Sequence, residues 1–391
     1  MVDRELCVQA ADRALAYLRE RVLDDTWVAA HRDIAYYFKA PQAFLLAGLR
    51  DEASAAFSAL EPFLDIYGGP PGAASDSAAY RLAYPHYPYM WAAKAARELD
   101  RTPFATACDR KLSEWRLQKS NGRDRDGDGF GVVGGDADFF ATAMRAFNAL
   151  TFGRVDEAKG AAMLLMWAIH RQEGDDKFRL RWDAATSYTS APAWASPPAE
   201  GGLPSVFYEV DRTQPGQLYF MLAFPAMVLL ELHTLVTSDA HRATVASAPP
   251  VQYEDPRVLA NELEGPALDE YVKEIRGALE VLETRETMGE NEHQYLGAAR
   301  RLLAFLRSCD GINESLFAHK AAIAAAMGGE RDTAGTISEY LLSQQRPHGG
   351  FADDADAMDT VDQTAELACW LRMLPELAAA TQPVSWTVAG F

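Results

Sequence analysis

The sequence has few cysteines and a deficit of basic residues. Its 391 residues include four widely spaced cysteines and no CxxC pair. This pattern predicts reduced thiols and a cytoplasmic location. The 37 Lys and Arg residues are outnumbered by 56 Asp and Glu residues, which gives a formal net charge of −19. Such an acidic chain is poorly suited to bind nucleic acid or an anionic membrane surface, so we expect a small-molecule substrate instead.

Several common sequence signals are also missing. No apolar run approaches about 18 residues without charges, and the first residues lack a basic region followed by an apolar stretch. We therefore expect no transmembrane helix and no leader. The eight histidines form no HxxxH or HExxH pair, and no GxSxG, GxGxxG or GxxxxGK[ST] motif occurs. The sequence thus predicts neither a zinc site nor nucleotide binding, and no cofactor.

Apolar residues recur with helical spacing along most of the chain. Hydrophobic residues make up 49% of the sequence and charged residues 24%, which is enough for a sizeable core. No stretch shows the alternation of a half-buried strand, and the pattern predicts an all-α chain of roughly twelve helices. Besides helices near the N-terminus, the predicted ranges are 78–99, 103–117, 137–150, 155–172, 217–236, 256–283, 293–309, 315–327, 333–345 and 362–377.

One short unit recurs along the chain. It has a Gln near a helix end, then a turn containing Gly or Asp, then an aromatic residue: Gln118 in "QKSNGRDRDGDGFG", Gln172 with Phe178, and "QQRPHGGF" ending at Phe351. Repeated hairpins of this length, about six in all, predict a single (α/α)6 toroid domain over 1–391. An irregular helical bundle remains the alternative. Residues 186–215 are rich in Pro, Ser, Gly and aromatics, and we interpret them as a lid or insertion loop.

The turn "QQRPHGGF" and the residues after it resemble the squalene-cyclase and prenyltransferase superfamily of α/α toroids. Class II terpene cyclases of that superfamily carry an Asp-Val-Asp-Asp-Thr-Ala motif, and this chain has "TVDQTA" from Thr360 to Ala365. The resemblance implies a toroid in which Asp362 occupies the proton-donor position, while Thr360 and Gln363 replace the outer aspartates. The zinc site, partner subunit and basic diphosphate pocket of the prenyltransferases are not visible, so that activity is not implied.

The candidate active site is built around Asp362. A carboxylate at the start of a helix is often only a cap, but one that faces a water-poor cavity has a raised pKa and can act as an acid. Asp359 and His86 are the candidate supporting groups. Aromatic residues beside predicted helix starts would line an apolar pocket, although they could equally pack one hairpin on the next. These substrate-binding candidates are Tyr37, Tyr84, Tyr87, Trp91 and Phe351.

Two further groups of acidic residues are less specific. Asp124, Asp126 and Asp128 in "DRDGDG" imitate the first half of a calcium loop, but the twelfth position is Gly135 rather than an acid. They are therefore a weak calcium candidate, and a solvated turn is the alternative. Asp136 and Asp138 precede a predicted helix as Asp362 does, so a second carboxylate could reach the same cavity.

These features support three hypotheses. The first is a cofactor-independent acid–base enzyme of terpenoid-cyclase type: a cyclase, isomerase or hydratase/dehydratase lyase acting on a lipophilic secondary metabolite. The second is a carbohydrate-active toroid (a glycosidase, lyase or sugar epimerase) that pairs Asp136 or Asp138 with Asp359 or Asp362. The third is a non-catalytic binding scaffold.

Overall fold

The computed structural model describes residues 2–64, 84, 86–114, 131–133, 136–174, 176–183, 192–197, 203–237 and 291–380. The calcium candidates Asp124, Asp126 and Asp128 lie outside these residues, as do the predicted helix 256–283 and part of the predicted lid. The described chain is mostly helical, so the predicted helical class is confirmed.

Thirteen α-helices occur in the described part of the chain. They are α1 (Arg4–Val22), α2 (Asp25–Ala30), α3 (Ala40–Leu46), α4 (Arg50–Leu60), α5 (Tyr87–Glu98), α6 (Thr102–Glu114), α7 (Phe139–Thr151), α8 (Val155–His170), α9 (Phe220–Thr237), α10 (Asn291–Arg307), α11 (His319–Met327), α12 (Arg331–Ser343) and α13 (Met358–Ala379).

Six of these helices are buried over most of their surface. They are α3, α5, α7, α9, α11 and α13, and each packs against the next in this order, while α13 also packs against α3. All nine residues of α11, "HKAAIAAAM", are buried, since its small alanines allow neighbouring helices to approach closely.

Each of the six buried helices packs against a partner helix that has a single buried face. The partners are α4, α6, α8, α10 and α12 for the first five, and α1 for α13. In α4, for example, the buried residues are Ala53, Ala56, Phe57 and Leu60, which form one stripe with helical spacing. The apolar periodicity of the sequence thus belongs mainly to these partner helices.

Five short strands correct the expectation that no strand is present. β1 (Gly131–Val133), β2 (Asp136–Asp138) and β4 (Arg181–Asp183) form one antiparallel sheet, and β3 (Lys177–Arg179) pairs with β5 (Glu209–Asp211). Each strand has three residues, which is too short to show an alternating pattern. The helix predicted from 137 begins at Phe139, because Asp138 is extended and caps it.

Helix α9 is long and apolar enough to cross a membrane by length and composition. Its mean hydropathy is 1.7, but 83% of the span is buried inside the protein. It packs against α7, α10 and α11, as expected for a core helix.

Candidate functional site

Asp362 lies inside a helix rather than at its start. Helix α13 begins at Met358, so Asp362 is one turn further along, and the expectation that its helix starts at 362 is wrong. Its side chain is only 12% exposed, and its Oδ2 accepts a hydrogen bond from Lys39 Nζ at 2.8 Å. Its Oδ1 is buried and has no hydrogen-bond partner in the described residues. The other acidic side chains of this stretch, Asp353, Asp354, Asp356 and Asp359, are exposed.

Glu366 follows Asp362 by one helical turn, so both carboxylates point the same way. Glu366 Oε2 accepts from Lys39 Nζ at 2.5 Å, and Oε1 accepts from Lys320 Nζ. The hydroxyl of Tyr87 donates to Oε1 at 3.2 Å. His319 Nε2 lies 3.3 Å from the same oxygen. We call Lys39, His319, Lys320, Asp362 and Glu366 the charge cluster.

The charge cluster balances two ammonium groups with two carboxylates. Burial raises the pKa of Glu366, but Lys320, Lys39 and His319 act in the opposite direction and hold it well below its usual value. Burial lowers the pKa of Lys39, yet the two carboxylates outweigh that effect and the net pKa is raised. Burial lowers the pKa of Lys320 more than Glu366 raises it.

Burial shifts the pKa values of Asp362 and His319 in opposite directions. Burial raises the pKa of Asp362 to about 6, against the opposing influence of Lys39. Burial also lowers the pKa of His319 despite the nearby Glu366, so this imidazole is neutral at pH 7. Within the cluster, Asp362 is therefore the carboxyl that titrates near neutral pH.

The cluster lies where the six buried helices begin. Lys39 immediately precedes α3, Tyr87 is the first residue of α5, and His319 and Lys320 open α11. Two phenylalanines lie next to the cluster. Phe220 begins α9, and its ring centroid lies 5.0 Å from Lys320 Nζ. Phe140, in the first turn of α7, contacts the Phe220 ring at 5.5 Å between ring centroids.

A second buried ion pair lies beyond Phe140. Arg181 on β4 donates from Nε to Asp138 Oδ2 at 3.0 Å, and the two side chains are 2% and 0% exposed. Tyr84 donates its hydroxyl to the same oxygen at 3.1 Å, while Asp138 Oδ1 caps α7 by accepting from Ala141 N–H at 2.7 Å. The Phe140 ring lies 5.0 Å from Tyr84 and 6.0 Å from Tyr87, so it separates the two charged groups.

The predicted site residues fall into distinct places. Tyr87 joins the charge cluster, and Trp91 lies behind it in edge contact with Tyr87 and Trp370. Tyr84 belongs to the Asp138 ion pair. His86 lies beside Tyr84, at 6.1 Å between rings, and burial lowers its pKa to about 4.

The other three predicted residues lie outside the cluster. Tyr37 stacks on Phe63 and donates to the backbone oxygen of His31 at 2.6 Å, so it serves packing. Asp359 is exposed on the first turn of α13 and acts on Asp362 only through its charge, which raises the pKa of Asp362. Phe351 is buried in the turn before α13, and its contact with a substrate stays a prediction.

Sequence reasoning missed most members of the charge cluster. The signal that could have found them is an isolated charge inside an otherwise apolar helix. Lys320 is the one ionic residue in "FAHKAAIAAAM", and Glu366 is the one in "TAELACWL". Because such charges are rarely buried without a partner, each of them predicts an oppositely charged partner elsewhere in the fold.

Neither a metal site in the described residues nor a related protein indicates the function of the charge cluster. Among the described residues, no three His, Cys, Asp or Glu side chains are placed to share a metal ion. Comparison of the chain with family models, with curated proteins and with solved structures finds no match.

Proposed function

We propose that the chain is an (α/α)6 toroid whose inner ring consists of α3, α5, α7, α9, α11 and α13. The cyclic order of their contacts supports this arrangement, as does the matching partner helix of each. The recurrent Gln residues also support it. Gln172, beyond the end of α8, bonds to the backbone of Arg179, and Gln345, beyond the end of α12, bonds to the backbone of Gly349. Both side chains close the turn after an outer helix.

The proposed activity is cofactor-independent acid–base catalysis at the charge cluster. One observation carries it: Asp362 presents a buried carboxyl whose Oδ1 has no hydrogen-bond partner in the described residues and whose pKa is raised to about 6. A carboxyl of this kind is partly protonated near neutral pH and can donate that proton to a reacting group.

In the proposed reaction, Asp362 transfers its proton to an alkene carbon, an epoxide oxygen or a hydroxyl group of the substrate. Lys39 stabilises the carboxylate that remains, and the aromatic faces of Tyr87 and Phe140 stabilise the cation that forms. The cation from an alkene or epoxide then loses a proton to Asp362, which gives an isomer or a cyclic product, or it adds water, whose extra proton returns to Asp362. A protonated hydroxyl leaves as water, and the cation that remains loses a proton to Asp362. The class is therefore cyclase, isomerase or hydratase/dehydratase.

The charge balance supports a lipophilic and largely uncharged substrate. Both ammonium groups of the charge cluster are paired with its own carboxylates, so an anionic substrate would have to compete with them. Several of the side chains that pack around the charge cluster are aromatic. A small terpenoid or similar metabolite fits these properties better than a diphosphate ester.

The alternative of a carbohydrate-active toroid requires a second working carboxylate. Burial raises the pKa of Asp138 against the opposing influence of Arg181, but both of its oxygens already accept hydrogen bonds from three donors, so neither oxygen is open to a substrate. Asp359 is exposed. A non-catalytic scaffold is the remaining alternative, and it predicts that no product depends on Asp362.

The test compares wild type, Asp362→Asn and Asp356→Asn on metabolite extracts and a panel of prenyl alcohols, diphosphates and oligosaccharides, with products read by mass spectrometry. Asp356 is 64% exposed and serves as the matched control. We expect wild type and Asp356→Asn to form a product of unchanged mass or one shifted by one water. Asp362→Asn should form none while retaining its circular dichroism spectrum. A product formed by Asp362→Asn at the wild-type rate would overturn the assignment.

A further inference from the structure

The guanidinium of Arg181 has more hydrogen-bonding capacity than its ion pair uses. Its Nε bonds to Asp138 Oδ2 and the guanidinium also interacts with the Tyr84 hydroxyl, but its Nη2 is buried and makes no well-aligned hydrogen bond in the part of the chain that the structure describes. The side chain is 2% exposed. A buried donor without an acceptor destabilises the folded state, so such a group is expected to meet an acceptor supplied from elsewhere.

Aromatic rings connect Arg181 to the charge cluster. The Arg181 Cζ atom lies 4.8 Å from the Tyr208 ring centroid and 6.0 Å from that of Tyr84. Tyr84 contacts Phe140, and Phe140 contacts Tyr87, which bonds to Glu366. Tyr84, Phe140 and Tyr87 thus form a continuous series of ring contacts between Arg181 and the charge cluster.

The surroundings of Arg181 favour an acceptor without charge. Asp138 already neutralises the guanidinium, and Asp136 and Asp183, which pair across β2 and β4, add further negative charge nearby. A carboxylate or phosphate bound there would lie beside the buried Asp138 and near the partly exposed Asp136 and the exposed Asp183. A hydroxyl or carbonyl oxygen accepts the same hydrogen bond without adding charge.

We propose that Arg181 anchors the substrate by donating from Nη2 to an uncharged hydroxyl or carbonyl oxygen at one end of a lipophilic molecule. This inference rests on the proposed function, and it adds the substrate's polar end. Arg181 is a binding residue here, and the reacting end lies at Asp362.

The test measures binding without turnover. The probes are farnesane, hexahydrofarnesol and hexahydrofarnesoic acid, which share one saturated isoprenoid skeleton and differ only at one end. Delivered from cyclodextrin, they are titrated against tryptophan fluorescence of wild type, Arg181→Lys and the control Arg179→Lys. The Arg181→Lys variant keeps a cation beside Asp138 and removes Nη2, so it should fold. Arg179 is 34% exposed and pairs with Glu209.

We expect wild type and Arg179→Lys to bind the alcohol about tenfold more tightly than the hydrocarbon, as one hydrogen bond from a charged donor provides. Arg181→Lys should lose this preference and bind the hydrocarbon as wild type does. A preference that persists in Arg181→Lys would overturn the proposal. Tighter binding of the acid than of the alcohol, or no binding of any probe to wild type, would overturn the uncharged lipophilic class.

The Asp362→Asn variant distinguishes a failure of the Arg181 proposal from a failure of the proposed catalytic function. Asp362→Asn should keep the preference for the alcohol, because Asp362 lies at the other end of the molecule. If Asp362→Asn remains active while Arg181→Lys loses the preference, the catalytic assignment fails and the anchor stands. If Asp362→Asn is inactive while Arg181→Lys keeps the preference, the anchor fails alone.

Discussion

Replacing Lys39 with methionine tests how the charge cluster sets the protonation of Asp362. Lys39 Nζ lies 2.8 Å from Asp362 Oδ2 and 2.5 Å from Glu366 Oε2, and its side chain is 4% exposed. Removing one partner of a buried ion pair costs about 3–5 kcal/mol if the other stays charged. Protonating Asp362 at pH 7 costs only about 1.4 kcal/mol, because its pKa is about 6. We therefore expect Lys39→Met to fold at neutral pH with Asp362 neutral.

The sign of the pH dependence follows from the raised pKa of Asp362. A group whose pKa is higher in the folded state stabilises that state fully below its unfolded pKa, and this contribution is lost as the pH rises through the folded pKa. In wild type the loss spans the interval from 3.8 to about 6. Without the Lys39 ammonium the folded pKa should rise by about 1–2 units, so the loss extends to about pH 8.

Urea unfolding followed by tryptophan fluorescence provides the assay. Relative to wild type, the free energy of unfolding of Lys39→Met should fall by about 1.2–2.2 kcal/mol between about pH 5.5 and pH 8. The control Lys159→Met removes a lysine that is 42% exposed and pairs with a fully exposed Asp156, and it should show no such difference. Equal destabilisation of Lys39→Met at both pH values would refute the coupling between Lys39 and Asp362.

The same variant distinguishes an acid from a base. In wild type at pH 7 roughly one Asp362 in ten is protonated, and in Lys39→Met about half or more should be. If Asp362 donates the proton, its pKa sets the alkaline limb of the pH–rate profile; that limb should move to higher pH by about 1–2 units, and the rate per folded molecule at pH 7 should rise. A rate that falls over the same interval would identify Asp362 as a base.

The remaining two predictions concern stability. Glu366→Gln should lower the free energy of unfolding in urea by about 3–5 kcal/mol, because it leaves Lys39 and Lys320 without their shared carboxylate. The control Glu376→Gln, at a 60% exposed position, should change that free energy by less than about 0.5 kcal/mol. Equal effects of the two substitutions would contradict the buried pairing. Gly349→Ala should lower the free energy of unfolding by about 3 kcal/mol, because the φ of Gly349 is +94° and a Cβ would lie 2.5 Å from the carbonyl oxygen of Arg13. Gly174→Ala, with φ +77° and open space around the position, should lower it by only about 1 kcal/mol. A similar loss at both positions would refute the close approach of α1 to Gly349.

The sequence predicts the helices well where periodicity and end signals agree. Pro41 lies in the first turn of α3, and Gly48 has the left-handed φ of +74° that ends this helix before α4. The strands were not predicted, because a strand of three residues is too short to show an alternation of apolar and polar side chains. The start of α13 was misplaced by four residues, because aspartates before a helix look like caps, whereas this helix begins without a side-chain cap.

The site was predictable only in part, and for a physical reason. Asp362 stood out because it follows a recognisable turn, and Tyr87 because several aromatic residues lie at the start of α5. Lys39 and Lys320 are separated by most of the chain, and their importance arises only when α3 and α11 both pack against α13. A single sequence contains no record of such long-range pairing, so buried charges can be suspected from it but not matched.

Three of the ion-paired groups on the six buried helices differ in what they do for the fold. Lys94 and Glu98 are one turn apart on α5, and Glu98 is 30% exposed, so that pair reaches solvent. Asp138 caps α7 and fixes β4 through Arg181. The charge cluster caps nothing with Asp362 or Glu366. Apolar residues of similar volume are often at least as stable as a buried ion pair, and burying these charges opposes folding. The stability of the fold alone therefore does not explain this cluster, and a carboxyl held near its titration point is what the proposed acid–base role requires.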